Sequence, residues 1–98
     1  MANDTWCTPS WLIDAIQTWK RIRVDPCASD DKSHWFAEDN YTASKDGLKL
    51  AWGSLTYCNP PYSTGNLIKW VSKAKQENAN NDVESILLVP CDPSTKWW

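Results

Sequence analysis

The stretch Leu55-Thr56-Tyr57-Cys58-Asn59-Pro60-Pro61-Tyr62-Ser63 decides the fold of this chain. Residues 55–58 form a short apolar run that reads as a strand, and a helical pattern opens near Asn66. Pro60 and Pro61 cannot donate backbone hydrogen bonds, so they end the strand and stiffen the turn after it. Asn59 is therefore held at a strand's carboxyl end, where open α/β sheets receive their ligands. The Asn59 amide oxygen and the Pro60 carbonyl are two acceptors able to converge on one planar amino group. Tyr62 adds a flat ring for stacking, a contact worth roughly 1–3 kcal/mol per base. A rigid Asn-Pro turn at a strand end is the plainer account of the same residues.

Downstream, Asn66 is placed to cap a helix carrying Leu67, Ile68, Val71 and Ala74 inward. Lys69, Lys73 and Lys75 fall on or near its other face, which reads as solvated, and a polar loop over residues 78–82 is expected to end it. Ile86-Leu87-Leu88-Val89 is a continuous apolar run, as in a parallel strand buried on both faces. Pro90 stops it, and residues 91–98 are expected to emerge at the same sheet edge as Asn59.

Upstream, Thr8 and Pro9 read as the N-cap and first position of a helix. Trp11, Leu12, Ala15, Ile16 and Trp19 recur on one face of it, and Lys20 and Arg21 suit its carboxyl end. Thr8 is either a simple cap or part of a helix amino terminus that receives a carboxylate. Ile22 and Val24 alternate with arginines in a short strand that stops at Asp25-Pro26. Cys27-Ala28-Ser29 follows, small enough for the backbone to approach a bulky ligand, although by itself the stretch reads first as a plain turn. An acid such as Asp25 at a strand tip can receive a cofactor's polar groups. Residues 30–45 read as an irregular connection or a short helix pinned by Trp35, Phe36 and Tyr41. Asp46-Gly47 is a common turn pair, and Asp46 is also able to accept from an adenine amino group.

The succession of helix, strand, loop, strand, helix and strand points to an α/β sandwich with parallel neighbours. Its 98 residues allow one small domain with a modest core. Apolar residues at 42% and charged ones at 22% argue against a disordered chain, and no apolar run approaches a membrane span. With no basic-then-apolar leader either, a cytoplasmic protein without membrane partners is expected. A net charge of −2 gives no general pull toward phosphate backbones. Cys7, Cys27, Cys58 and Cys91 contain no C-x-x-C pair and there is one histidine, His34, so neither structural zinc nor a disulfide framework is expected. Most of the eight tryptophans are expected in the core, with some able to line a pocket for a planar ligand.

Five stretches in order carry a resemblance: Asp4-Thr5-Trp6-Cys7-Thr8-Pro9, Val24-Asp25-Pro26-Cys27-Ala28-Ser29, Asp46-Gly47-Leu48, Cys58-Asn59-Pro60-Pro61-Tyr62-Ser63, and Leu88-Val89-Pro90 with Thr95-Lys96-Trp97-Trp98. The chain resembles the phage-type, Dam-like DNA N6-adenine methyltransferases of phages and prophages, and Asn59-Pro60-Pro61-Tyr62 is similar to the Asn/Asp-Pro-Pro-Tyr motif of amino-methyltransferases that use S-adenosylmethionine. The resemblance implies a Rossmann-like methyltransferase sandwich, S-adenosylmethionine as cofactor and double-stranded DNA as substrate. By that analogy Thr8 and Pro9 contact the cofactor's methionine carboxylate, Asp25, Pro26, Cys27 and Ala28 form the cofactor loop, and Asp46 holds its adenine end. Asn59, Pro60, Pro61 and Tyr62 hold a flipped target adenine. Acceptors at Asn59 and Pro60 then favour positive charge on the amino nitrogen as it gains the methyl group.

Two departures shape the remaining expectations. No G-x-G-x-x-G is present, so the cofactor loop is assigned by position. Members of the family continue beyond the length seen here, and the strand ending at Val89 calls for neighbours on both sides. The chain is therefore expected to be an amino-terminal portion, incomplete at its carboxyl end, inactive alone, with an open sheet edge suited to homo-oligomers. A protein-glutamine methyltransferase and a non-catalytic binding or assembly fragment stay open as alternatives.

Overall fold

The computed structural model describes residues 8–61 and 65–89. Tyr62, Ser63, Cys7, Cys91 and the outer stretches, residues 1–7 and 90–98, lie outside the described residues, and with them the expected emergence of residues 91–98 beside Asn59. The elements are α1 (Ser10–Trp19), β1 (Val24–Asp25), β2 (Asp39–Asn40), β3 (Thr56–Cys58), α2 (Asn66–Asn81) and β4 (Ser85–Leu87), with short 3-10 turns at Lys32–His34 and Ala43–Lys45. The four strands form one sheet in the order β2-β1-β3-β4, and every neighbouring pair is parallel. The result is an α/β protein, as the order of apolar runs implied.

Alternation along β3 divides the core in two. Tyr57 packs with Ile13 of α1, Ile22 and Leu55, with Ile86 and Leu88 joining from the end of the sheet. Cys58 packs with Trp70 of α2, Val24, Trp52 and Val83, with Leu87 on the same side. Successive strand residues point to opposite faces, so each helix covers one face of the sheet.

Several expectations change at the ends of elements. Pro9, not Thr8, stands at the cap of α1: its carbonyl accepts from Leu12 N at 3.1 Å and Ile13 N at 3.3 Å, and the helix begins at Ser10. Ile13 is the buried residue of α1, whereas Trp11 and Trp19 are 69% and 64% exposed. Two of the five described tryptophans, Trp52 and Trp70, are buried, so the expectation that most tryptophans lie in the core fails among the described residues. Gly65, at φ 82°, stands at the cap of α2 and Asn66 is its first residue. Ile68 is 50% exposed, and Trp70 takes the inward position.

The polar run at residues 78–82 does not form a loop. It stays helical to Asn81 because its amides are used locally: Asn81 Nδ2 donates to Glu77 Oε2 at 3.2 Å and Asn78 Nδ2 to the Val83 carbonyl at 3.3 Å. Residues 30–45 contain a strand not apparent from their polar sequence. β2 exists through backbone pairing, Asp39 N to Arg23 O and Tyr41 N to Asp25 O, each at 2.8 Å. Finally, β4 pairs with β3 alone among the described residues, and its side chains are half-buried, so it is an edge and not a strand enclosed on both faces.

Candidate ligand site at the carboxyl ends of the strands

From β1 the chain moves outward to β2, and the next strand, β3, lies on the opposite side of β1. Connections diverge between β1 and β3, and in parallel sheets the crevice at such a point accepts ligands. Here a cavity of about 750 Å³ opens, within the range of small-molecule sites. The segment after β1 supplies Asp25, Pro26, Cys27 and Ala28 to its wall, and the segment after β3 supplies Asn59 and Pro61. Thr8 and Asp46 line it as well. Pro9 and Pro60 are not among the lining residues, Pro60 being buried and Pro9 exposed beside α1. Tyr62 lies outside the described residues.

Asn59 is fixed across the cavity by Thr8: its Nδ2 donates to Thr8 Oγ1 at 3.3 Å, and Thr8 Oγ1 donates to the Tyr57 hydroxyl at 3.3 Å. The Thr8 hydroxyl therefore serves β3 and its following turn; it makes no side-chain cap bond to α1.

Asp25 is buried at the tip of β1, and its Oδ1 accepts from Cys27 N at 3.1 Å. Burial raises its pKa from 3.8 to about 6, against the opposing pull of that backbone donor. Cys27 Sγ lies 3.2 Å from Cys58 Sγ, and burial together with the neighbouring sulfur pushes the Cys27 thiol up, which keeps it protonated. Both cysteines are free thiols that fill the space between the two strand ends.

Asp46 sits at φ 56° and turns the chain so that Gly47 meets the loop after β1. A Cβ at Gly47 would collide with the Pro26 carbonyl, so the close approach of the two cavity walls requires glycine here. Asp46 Oδ1 accepts from Leu48 N at 3.3 Å and its Oδ2 lies 3.7 Å from Lys49 Nζ. Asp46 thus makes the turn and also forms part of the cavity wall.

The structure also brings in residues to which the sequence reading gave no individual site role. Residues 29–36 form one rim, contributing Ser29, Asp30, Ser33, His34, Trp35 and Phe36, with Trp35 Nε1 tied to the Ser29 carbonyl at 2.6 Å. Trp70 lines the cavity from α2 and stacks on Trp52, ring centroids 6.2 Å apart. Its spacing three residues after Leu67 was the available signal for an inward position. Among the described residues no cluster of ligating side chains is arranged for a metal ion, and no helix is long and apolar enough to cross a membrane.

A parallel sheet that opens at its strand-order reversal onto a cavity, with one buried acid and a strand-end Asn-Pro-Pro in its wall, makes this an α/β protein with a ligand-sized cavity at the carboxyl ends of its strands. The family model for DNA N-6-adenine-methyltransferase (Dam) matches residues 1–98, and the chain belongs to that family. It is 28% identical over 99 residues to a DNA N-6-adenine-methyltransferase of Haemophilus phage HP1, covering 98% of this chain and 55% of the relative. The chain thus spans about half the length of the curated relative it matches. No solved structure matches it.

Proposed function

We propose that this chain carries the cofactor and target-base pockets of a DNA adenine-N6 methyltransferase that uses S-adenosylmethionine, on a Rossmann-like sheet forming one domain over residues 1–98. The observation that supports this most directly is Asn59, held beside Asp25 and Asp46 around one cavity at the divergence of β1 and β3. The cavity's size and donor set fit the cofactor: a buried carboxylate, small residues after the strand, and a second carboxylate on the facing turn. When bound, S-adenosylmethionine supplies an electrophilic methyl group.

In this reading Thr8 faces the cofactor's carboxylate end, with Pro9 behind it at the start of α1, residues 25–28 form its loop, and Asp46 accepts from its adenine amino group. Asn59 and the Pro60 carbonyl accept from the amino group of an adenine drawn out of double-stranded DNA, with Pro61 and Tyr62 against the base. An aromatic amine is a poor nucleophile because its lone pair is delocalised into the ring. Fixed acceptors on its protons stabilise the positive charge that grows on that nitrogen, and positioning supplies the rest. The protein acts on DNA in the cytoplasm of a phage-bearing host. The edge of β4 that is unpaired among the described residues is the place where a second copy extends the sheet.

Labelled methyl transfer from S-adenosylmethionine tests the reading, with unmethylated double-stranded DNA and a glutamine-bearing protein as competing acceptors. Label on adenine N6 is expected. Label on glutamine alone assigns the site to the protein-methylating alternative, and label on neither from a preparation that binds the cofactor makes this a binding or assembly fragment.

A further inference from the structure

Glu77 is a buried carboxylate that takes no part in lining the cavity. It is 6% exposed, in the carboxyl half of α2. Its Oε1 accepts from Trp52 N at 2.7 Å, its Oε2 accepts from Asn81, and Lys73 Nζ lies 3.5 Å from Oε2. Trp52 carries the link onward: its Nε1 donates to the Gly47 carbonyl at 2.9 Å, while its ring stacks on Trp70 and lies under Lys73 Nζ at 5.9 Å. Gly47 in turn abuts Pro26. The backbone and the side chain of one tryptophan therefore connect the α2 carboxylate to the turn that presents Asp46.

Packing alone is a poor account of this arrangement. A buried ion pair is often no more stable than well-fitted apolar residues, because both partners are taken out of water. The charge does provide direction, since the acceptor meets one backbone N–H at a short distance and fixes where Trp52 lies.

We propose that Glu77 is a positioning residue: through Trp52 it sets the Asp46–Gly47 turn at the depth where the Asp46 carboxylate meets the cofactor's adenine amino group. The inference rests on the cofactor reading of the cavity given under Proposed function. It makes Glu77 and Trp52 determinants of selectivity for a 6-aminopurine, although neither is itself a catalytic residue.

The test is a ratio of affinities, measured calorimetrically on the complete chain with S-adenosylhomocysteine and with its inosyl analogue, in which a carbonyl replaces the 6-amino group. Wild type is expected to prefer the amino form by roughly tenfold or more, as for one hydrogen bond to a charged group. Glu77→Leu and Trp52→Phe are expected to bring that ratio close to one. Glu77→Gln keeps an acceptor for Trp52 N and is expected to keep the ratio. Trp52→Phe retains an aromatic ring against Trp70 while losing the donor to Gly47 and part of the buried ring volume, a packing loss that weakens both ligands alike, so it tests the Trp52 link of the chain should Glu77→Leu fail to fold. A general loss of stability weakens both ligands alike and leaves the ratio unchanged. An undiminished ratio in folded Trp52→Phe or Glu77→Leu overturns the positioning role. A wild-type chain that binds both nucleosides equally overturns Asp46 as the adenine acceptor, and one that binds neither overturns the cofactor reading itself.

Discussion

Asn59 and Thr8 are 51 positions apart in sequence, and the Asn59 amide nitrogen donates to the Thr8 hydroxyl at 3.3 Å. The bond decides which end of the amide acts as acceptor, since its nitrogen is directed to Thr8. In the proposed chemistry Oδ1 then faces the target amino group. Asn59→Ala is expected to lower methyl transfer by about 10²–10³ while the cofactor Kd moves only a few-fold, as for loss of one preorganised hydrogen-bonding group. Thr8→Val is expected to cost roughly 3- to 10-fold in turnover, the effect of one neutral hydrogen bond, with Thr8→Ser close to wild type. Single-turnover assays on unmethylated DNA, with any preparation of the protein that methylates it, read both. Normal turnover in Asn59→Ala removes Asn59 from the catalytic role.

Asp46 is half-buried in the cavity wall at a left-handed backbone position. If its carboxylate accepts from the cofactor's adenine, Asp46→Ala weakens S-adenosylmethionine binding by about 1.5–3 kcal/mol. Asp46→Asn isolates the charge, because asparagine tolerates the same backbone conformation. Titration calorimetry is the measurement, and an unchanged Kd in folded Asp46→Ala leaves this residue with the turn alone.

Gly47 offers a test of the architecture that is independent of any ligand. A methyl group there meets the Pro26 carbonyl, which belongs to the loop after β1 and has little room to yield. Gly47→Ala is expected to destabilise the chain by about 1–3 kcal/mol, as overpacking does. Gly65→Ala has open space for its Cβ, so its cost comes from the positive φ of 82° alone. Comparing the two in denaturant titrations separates collision from backbone strain. Equal, small effects at both positions mean that the two loops do not touch.

The short apolar runs of β3 and β4 and the helical spacing of α2 made these elements legible, because turn residues bound each run and the spacing of α2 fits one helix face. The two-residue strand β2 was not legible: Asp39 and Asn40 carry no apolar pattern, and their pairing to β1 is entirely a matter of backbone. The start of α1 misled for a related reason. Thr8 has the chemistry of a cap, but Tyr57 and Asn59 claim its hydroxyl from across the fold. Within the site, strand-tip residues such as Asp25 and Asn59 were identified by their position after a strand. The rim at residues 29–36 and Trp70 become part of the cavity only through tertiary packing, which local spacing does not encode.

Asp25 makes the chain's stability depend on pH in a direction opposite to that of most surface carboxylates. Its pKa rises from 3.8 to about 6 because burial disfavours the charged form more than the Cys27 backbone donor favours it. The folded chain therefore holds this proton more tightly than the unfolded chain. Well below pH 3.8 both states keep it and there is no penalty; as pH climbs from 3.8 to about 6 the unfolded state ionises first and folding loses ground; well above 6 the penalty is complete. A rise from 3.8 to about 6 corresponds to at most about 3 kcal/mol. Asp25→Asn preserves an oxygen acceptor for Cys27 N and does not titrate. Its stability relative to wild type is expected to be lowest near pH 4 and to grow with pH to a plateau above pH 6. The same substitution is expected to weaken S-adenosylmethionine binding, since a charge kept buried at a strand tip is offset only when a ligand's polar groups meet it. Urea denaturation of both chains from pH 4 to 8, in parallel with calorimetric titration, measures the two effects. A stability difference that stays flat with pH means that Asp25 is ionised without cost in the folded chain. The strand-tip carboxylate would then need no ligand to compensate its burial.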